Sequence, residues 1–171
     1  MKSRLHINKS KTYFSEDISE FLLLLARHKV RYVIVGGEAV IYYGHARLTG
    51  DIDIFYERTA GNVKRLYTAL NEFWDNDVPG VGSEDELLQE GMILQFGVPP
   101  NRIDLMNEIG NVGFETAWRN KTKAVFSHLR KRITIYYIGL DELIKNKKAV
   151  DRYKDREDLK FLSEVRRKGN R

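Results

Sequence analysis

The stretch from Ser15 to Val30, SEDISEFLLLLARHKV, places Ile18, Phe21, Leu22 and Leu25 at helical spacing on one face. Ser15 is positioned to cap this helix, and Glu16 and Asp17 fall in its first turn, where the helix dipole favours acids. At residues 31–35, RYVIV, the pattern becomes a continuous apolar run and predicts a buried strand. Gly36-Gly37 breaks it, and EAVIYYG then predicts a short helix ended by Gly44. DIDIFYE (51–57) alternates acid with isoleucine and predicts a second strand, followed by a long helix over 62–74. A loop rich in turn formers, DNDVPGVGSED, leads to a short helical piece. MILQFG and NRIDLM read as two strands joined by VPP, which forbids helix. GFETAWRN predicts a helical turn, KAVFSHLRKRITIYYI a β-hairpin, and LDELIKNKKAV and DREDLKFLSEVRRK two helices meeting around Arg152 and Tyr153.

This order predicts an α+β fold, a mixed β-sheet flanked by helices with a helical C-terminal segment. In 171 residues there is no repeat or linker to split the chain, so the expectation is a single domain, with an α/β core over 1–139 completed by helices over 140–171. The absence of cysteine excludes disulfide frameworks, thiolate zinc sites and cysteine nucleophiles. The first residues lack the apolar run of a signal peptide, and FLLLLA is too short to cross a bilayer, so a soluble, cytoplasmic protein without membrane association is expected. The net charge of +5 is concentrated late: residues 145–171 carry eleven Lys/Arg against five Asp/Glu. Such a face suits a phosphate-rich partner, and it equally describes a solvated helix of mixed charge.

Residues two apart on a strand point the same way, so Asp51 and Asp53 present adjacent carboxylates while Ile52 and Ile54 pack beneath them. Two such charges repel unless a cation lies between them, and Mg²⁺ commonly takes one or two carboxylates together with substrate phosphates; taken alone, the pair equally describes solvated aspartates at a strand end. Gly36 and Gly37, between strand and helix, allow a close approach of backbone to an anionic ligand, or simply form a tight turn. Thr49 adds a hydroxyl and Arg47 a cation just ahead of the aspartates. Asp104, between Ile103 and Leu105, is an isolated acid on an otherwise apolar strand; it serves either as a third metal ligand or as a salt-bridge partner of Arg102 or another base. The histidines, His6, His28, His45 and His128, lack metal-ligand spacing and read as surface or core-rim groups, with His45 near enough to the motif for a supporting contact. Tyr42 and Tyr43 cannot both face the core if the helix is regular, which leaves one to border the pocket.

Taken together, GGEAVIYYGHARLTGDIDIF, PPNRIDLM and LDELIKNKKAVDRYKDREDL resemble the minimal nucleotidyltransferases of the DNA polymerase β superfamily, closest to the bacterial AbiEii-like and MenT-like group of abortive-infection and toxin–antitoxin systems. The resemblance runs from about Tyr32 to Leu162. It implies a phosphate-binding turn at Gly36 and Gly37, a metal pair at Asp51 and Asp53, and a third carboxylate at Asp104. Its C-terminal motif matches Lys147, Arg152, Lys154, Asp155 and Asp158, with Lys147 on the nucleotide phosphates and Lys154 on base, sugar or acceptor. Asp155 and Asp158 either orient the lysines or touch substrate. The superfamily's Gly-Ser is Gly-Gly here, which makes Thr49 the candidate source of the missing hydroxyl, and Asp151 and Tyr153 replace the small residue and proline usual before the last lysine.

The resemblance thus implies transfer of a nucleoside monophosphate from an NTP to an acceptor hydroxyl with release of pyrophosphate, using two Mg²⁺ ions or Mn²⁺ in their place. RNA, a tRNA 3′ end first, is the implied acceptor, and a toxin restrained by an antitoxin protein the implied role. Two other readings remain at this point: transfer to a protein or small-molecule hydroxyl, and a non-catalytic module that binds a nucleotide or a partner.

Overall fold

A computed structural model describes residues 14–169. The first helix, α1 (Glu16–Arg27), starts as the pattern predicts: the Ser15 hydroxyl accepts from the Ile18 amide at 3.4 Å, with Glu16 and Asp17 in the first turn. Then follow β1 (Tyr32–Val35), α2 (Gly36–Tyr42), β2 (Asp51–Tyr56) and α3 (Ala60–Phe73). A 3₁₀ turn at Glu84–Leu88 precedes β3 (Ile93–Phe96) and β4 (Arg102–Met106). The chain continues through α4 (Phe114–Arg119), β5 (Thr122–His128), β6 (Lys131–Tyr137), α5 (Leu140–Val150) and α6 (Tyr153–Gly169).

The strands form one six-stranded mixed sheet in the order β3-β4-β2-β1-β6-β5. β2 lies inside it, antiparallel to β1 and parallel to β4. This is the expected α+β architecture, with helices on the sheet and a helical C-terminus.

Alternation along β2 sorts its side chains into two environments. Ile52, Ile54 and Tyr56 are fully buried, and the Tyr56 hydroxyl donates to the Leu87 carbonyl of the 3₁₀ turn at 2.9 Å. On the other face, Phe55 meets Phe114 of α4 edge-on at 5.2 Å, so the far end of that face is covered. Asp51 and Asp53 occupy its near end, half-buried and beside the cleft. The polar site is therefore built where an otherwise apolar sheet face is left open, which is the least costly place to set two carboxylates.

Four expectations are corrected. The glycine pair does not precede α2 but forms its first two residues, with φ +63° at Gly36. α3 begins two residues earlier than predicted because the Thr59 hydroxyl caps it, accepting from the Asn62 amide at 3.4 Å. The break between the last two helices is at Asp151, a left-handed cap (φ +43°) whose amide bonds the Lys147 carbonyl at 3.2 Å, and Tyr153 already belongs to α6. Finally, neither tyrosine of the 42–43 pair lines the cleft: Tyr42 stacks on Tyr137 at 4.1 Å, and the Tyr43 hydroxyl donates to the Ile138 carbonyl at 2.8 Å. Tyr42 ends the short helix and Tyr43 is its C-cap, so Tyr42 packs on β6 while Tyr43 reaches the residue just after it.

No helix among the described residues is long and apolar enough to cross a membrane. His28 and His128 pair with Glu72 and Glu16 at 2.7 and 3.1 Å, as rim groups do. His6 lies outside the described residues.

Candidate active site

The parallel pairing of β2 with β4 sets Asp53 opposite Asp104 and Asp51 opposite Arg102. Asp51, Asp53 and Asp104 each offer a carboxylate oxygen within 4.8 Å of the others, the one such group of potential metal ligands among the described residues. Asp104 is the most enclosed, 5% exposed, and accepts from the Gln95 side-chain amide at 3.2 Å. Gln95 stands opposite Asp104 across the β3–β4 pair.

Burial, then the neighbouring charges of Asp51 and Asp104, push the Asp53 carboxyl up to about 6, while Lys147 and Arg102 pull in the opposite direction. The cluster is thus short of positive charge. Three hard oxygen donors converging with that deficit fit a divalent cation such as Mg²⁺.

The glycine turn is shaped by the same aspartates. A Cβ at Gly36 would collide with the Asp53 carboxylate, and one at Gly37 would come within 2.9 Å of the Thr49 hydroxyl. Thr49 Oγ1 donates to the Asp51 carbonyl at 3.1 Å, fixing the hydroxyl against the turn. We expect Gly36→Ala to destabilise the fold by about 2 kcal/mol or more, since it adds both the clash and a positive φ to an L-residue. A urea midpoint unchanged from the parent protein would contradict that expectation.

The C-terminal helices supply the cations. Lys147 of α5, 7% exposed, reaches Asp155 at 2.5 Å and Asp158 at 2.9 Å, both on α6. Asp158 also takes Arg47 and stands 3.4 Å from His45 Nδ1, whose ring stacks on Phe161 at 4.7 Å. Burial alone would raise the Asp158 carboxyl, but Lys147 and then Arg47 hold it below the ordinary range. Asp158 thereby ties the loop between the glycines and β2 to α6.

Gly36, Gly37, Arg47, Thr49, the three aspartates, Lys147, Arg152, Lys154 and Asp155 all border one cleft of about 540 Å³, and Asp158 sits behind it. The glycine turn, the three carboxylates and the basic residues of the C-terminal motif therefore meet at this cleft, whereas Tyr42, Tyr43, His28 and His128 do not line it. Asp155, which lines the cleft, and Asp158, which does not, both contact Lys147 directly. Arg152 turns back on Asp155, its amide 3.2 Å from the carboxylate, and is otherwise exposed.

Sequence reasoning missed Gln95 and the full part of Arg102, which bridges Asp51 as well as Asp104. Arg102 had a local signal, being two residues from Asp104 on one strand and thus on its face. Gln95 had none, because its place depends on the pairing of β3 with β4.

No curated protein matches the sequence. A family model described as a nucleotidyltransferase of unknown function (DUF6036) matches residues 14–165. The match spans both strands of the carboxylate cluster, the glycine turn, α5 and the part of α6 that carries Asp155 and Asp158. The chain belongs to this nucleotidyltransferase family.

Proposed function

We propose that the protein is a Mg²⁺-dependent nucleotidyltransferase that moves a nucleoside monophosphate from an NTP to the 3′ end of an RNA, a tRNA first, and that it acts as an AbiEii- or MenT-like toxin held in check by an antitoxin. The observation that carries the reading is the convergence of three carboxylates, a glycine turn and Lys147 on one cleft. In the transfer, the acceptor oxygen bonds to the α-phosphorus and the bond from that phosphorus to the αβ-bridging oxygen breaks. Pyrophosphate leaves with the electron pair, and the hydroxyl proton is lost to solvent.

Asp51, Asp53 and Asp104 would hold the metal, which supplies charge neutralisation of the phosphates and a lowered pKa for the acceptor hydroxyl. The glycine turn admits the triphosphate close to the backbone, and Thr49 offers its hydroxyl beside Gly37. Lys147 adds fixed positive charge, held in place by Asp155 and Asp158, so that it need not reorganise as charge shifts towards pyrophosphate. Arg152 and Lys154, at the mouth of the cleft, flank Tyr153, which is 78% exposed. Two cations around an exposed aromatic ring suit a nucleic-acid strand, with phosphate pairing and base stacking side by side.

The test is incubation with each of the four α-labelled NTPs, Mg²⁺, total bacterial RNA and total protein, with half of the RNA oxidised by periodate to destroy its 3′ diols. Label is expected in intact RNA, absent from oxidised RNA and weakened by salt as phosphate contacts are screened. Label in protein instead would reassign the acceptor. Nucleotide binding without any transfer would make the protein a binding module.

A further inference from the structure

Arg102 precedes Asp104 by two residues on β4, so both side chains point to the cleft, and the strand register sets Arg102 opposite Asp51. Its guanidinium donates through Nη2 to Asp51 Oδ2 and, at 3.1 Å, to Asp104 Oδ2. Nε lies 3.0 Å from Asp104 Oδ1. Two of the three carboxylates that converge on one point are thus already bridged by a cation of the chain itself. Lys147, the other cation named beside Asp53, is committed to Asp155 and Asp158.

A divalent ion between Asp51 and Asp104 would stand directly against this guanidinium. Like charges that close repel, and both cations draw on the same oxygens. The side chain is 29% exposed, so it has room to withdraw along the cleft that it lines.

We propose that Arg102 is a resident counter-ion of the carboxylate cluster: it holds Asp51 and Asp104 together in the metal-free protein and gives way when a divalent cation binds. The proposal rests on the reading of the three aspartates as a metal site. Arg102 is on this account a positioning residue whose removal has two opposite effects. The metal-free protein loses the cation that offsets carboxylate repulsion and melts lower. The metal meets one positive charge fewer and binds more tightly.

The experiment is Mn²⁺ titration of the full chain without nucleotide, followed by electron paramagnetic resonance at fixed pH and ionic strength, for the parent, Arg102→Gln and Arg102→Lys proteins. Arg102→Gln is expected to bind Mn²⁺ roughly tenfold more tightly, on the scale of one removed charge at contact distance. Arg102→Lys, which keeps the charge, is expected to stay close to the parent. A residue that merely orders the ligands would give the reverse, weaker binding on removal, and equal or weaker binding by Arg102→Gln overturns the exchange. Mn²⁺ binding by none of the three proteins would overturn the metal site itself, and the exchange with it. Should Arg102→Gln not fold, the Arg102 Nε–H resonance of the parent protein gives the answer. It is expected to shift on Mg²⁺ addition as the side chain leaves the carboxylates, and an unchanged signal at saturation overturns the proposal.

Discussion

Asp53→Asn is expected to make the metal-free protein more stable, and to abolish metal binding and transfer by the same substitution. The Asp53 carboxyl is lifted from 3.8 to about 6 by burial and by Asp51 and Asp104. Its folded-state pKa thus lies above its unfolded value, the reverse of a salt-bridged aspartate. Between those two values the folded protein holds a proton that the unfolded chain has released, so stability falls as pH rises through that window. Below about pH 4 the penalty is absent, and above about pH 6 it is complete, at up to about 3 kcal/mol for two pKa units. Asparagine keeps the shape beside Gly36 and removes the charge. Urea unfolding in EDTA across pH 4 to 8 checks this: the gap between variant and parent should open between pH 4 and 6 and stay open. A variant less stable than its parent at pH 7 would show that Asp53 is already balanced by Arg102 and Lys147. A stabilising change that removes activity is what is expected of a site built against the preferences of the fold.

Lys147→Ala is expected to destabilise the protein by about 3 kcal/mol, because it takes the shared cation from two buried carboxylates. Asp155 and Asp158 are 3% and 1% exposed, and Lys147 is the one cation that touches both among the described residues. Asp155 then keeps only Arg152, and Asp158 keeps Arg47 and His45. Adding Asp155→Asn to Lys147→Ala should recover a good part of the lost stability, since it removes the buried charge left with Arg152 alone. It should recover none of the transfer, because the phosphates still lack their cation. Denaturation and transfer measured on both variants separate the two parts that Lys147 plays. If the double variant regained transfer, Lys147 would be purely structural.

The chemistry-bearing residues were legible where their signal was local. Asp51 and Asp53 alternate with isoleucines, and Asp104 is a lone acid between apolar residues, so strand periodicity alone aimed them away from the core. The register that sets Asp53 beside Asp104 was not legible, since the pairing of two parallel strands joined through a helix and a further strand leaves no trace in either segment. For the same reason Arg102 read as a partner of Asp104 alone, while its second contact comes from standing opposite Asp51.

Glycine reads from the sequence as a breaker and a turn open to an anionic ligand at positions 36 and 37, but tertiary neighbours also demand it: the space that a Cβ would take holds the Asp53 side chain at Gly36 and the Thr49 hydroxyl at Gly37. The β5–β6 turn carries even less signal. Leu129 and Arg130 both adopt positive φ, +47° and +62°, without the Asn or Gly that usually marks such a turn. Asp155 and Asp158 share a helix face by their three-residue spacing, but only the reversal at Asp151 brings that face onto Lys147.

The central claim is that the carboxylate cluster transfers a nucleotidyl group, and the most direct measurement follows the label from α- and γ-labelled NTP in parallel. The reactions contain Mg²⁺ and total RNA, with the parent protein and its Asp51→Asn/Asp53→Asn variant side by side. The account predicts α-label in the acceptor, γ-label only in pyrophosphate, and a loss of at least about a thousandfold in the variant. Entry of γ-label into the acceptor, or undiminished α-transfer by the variant, would contradict it.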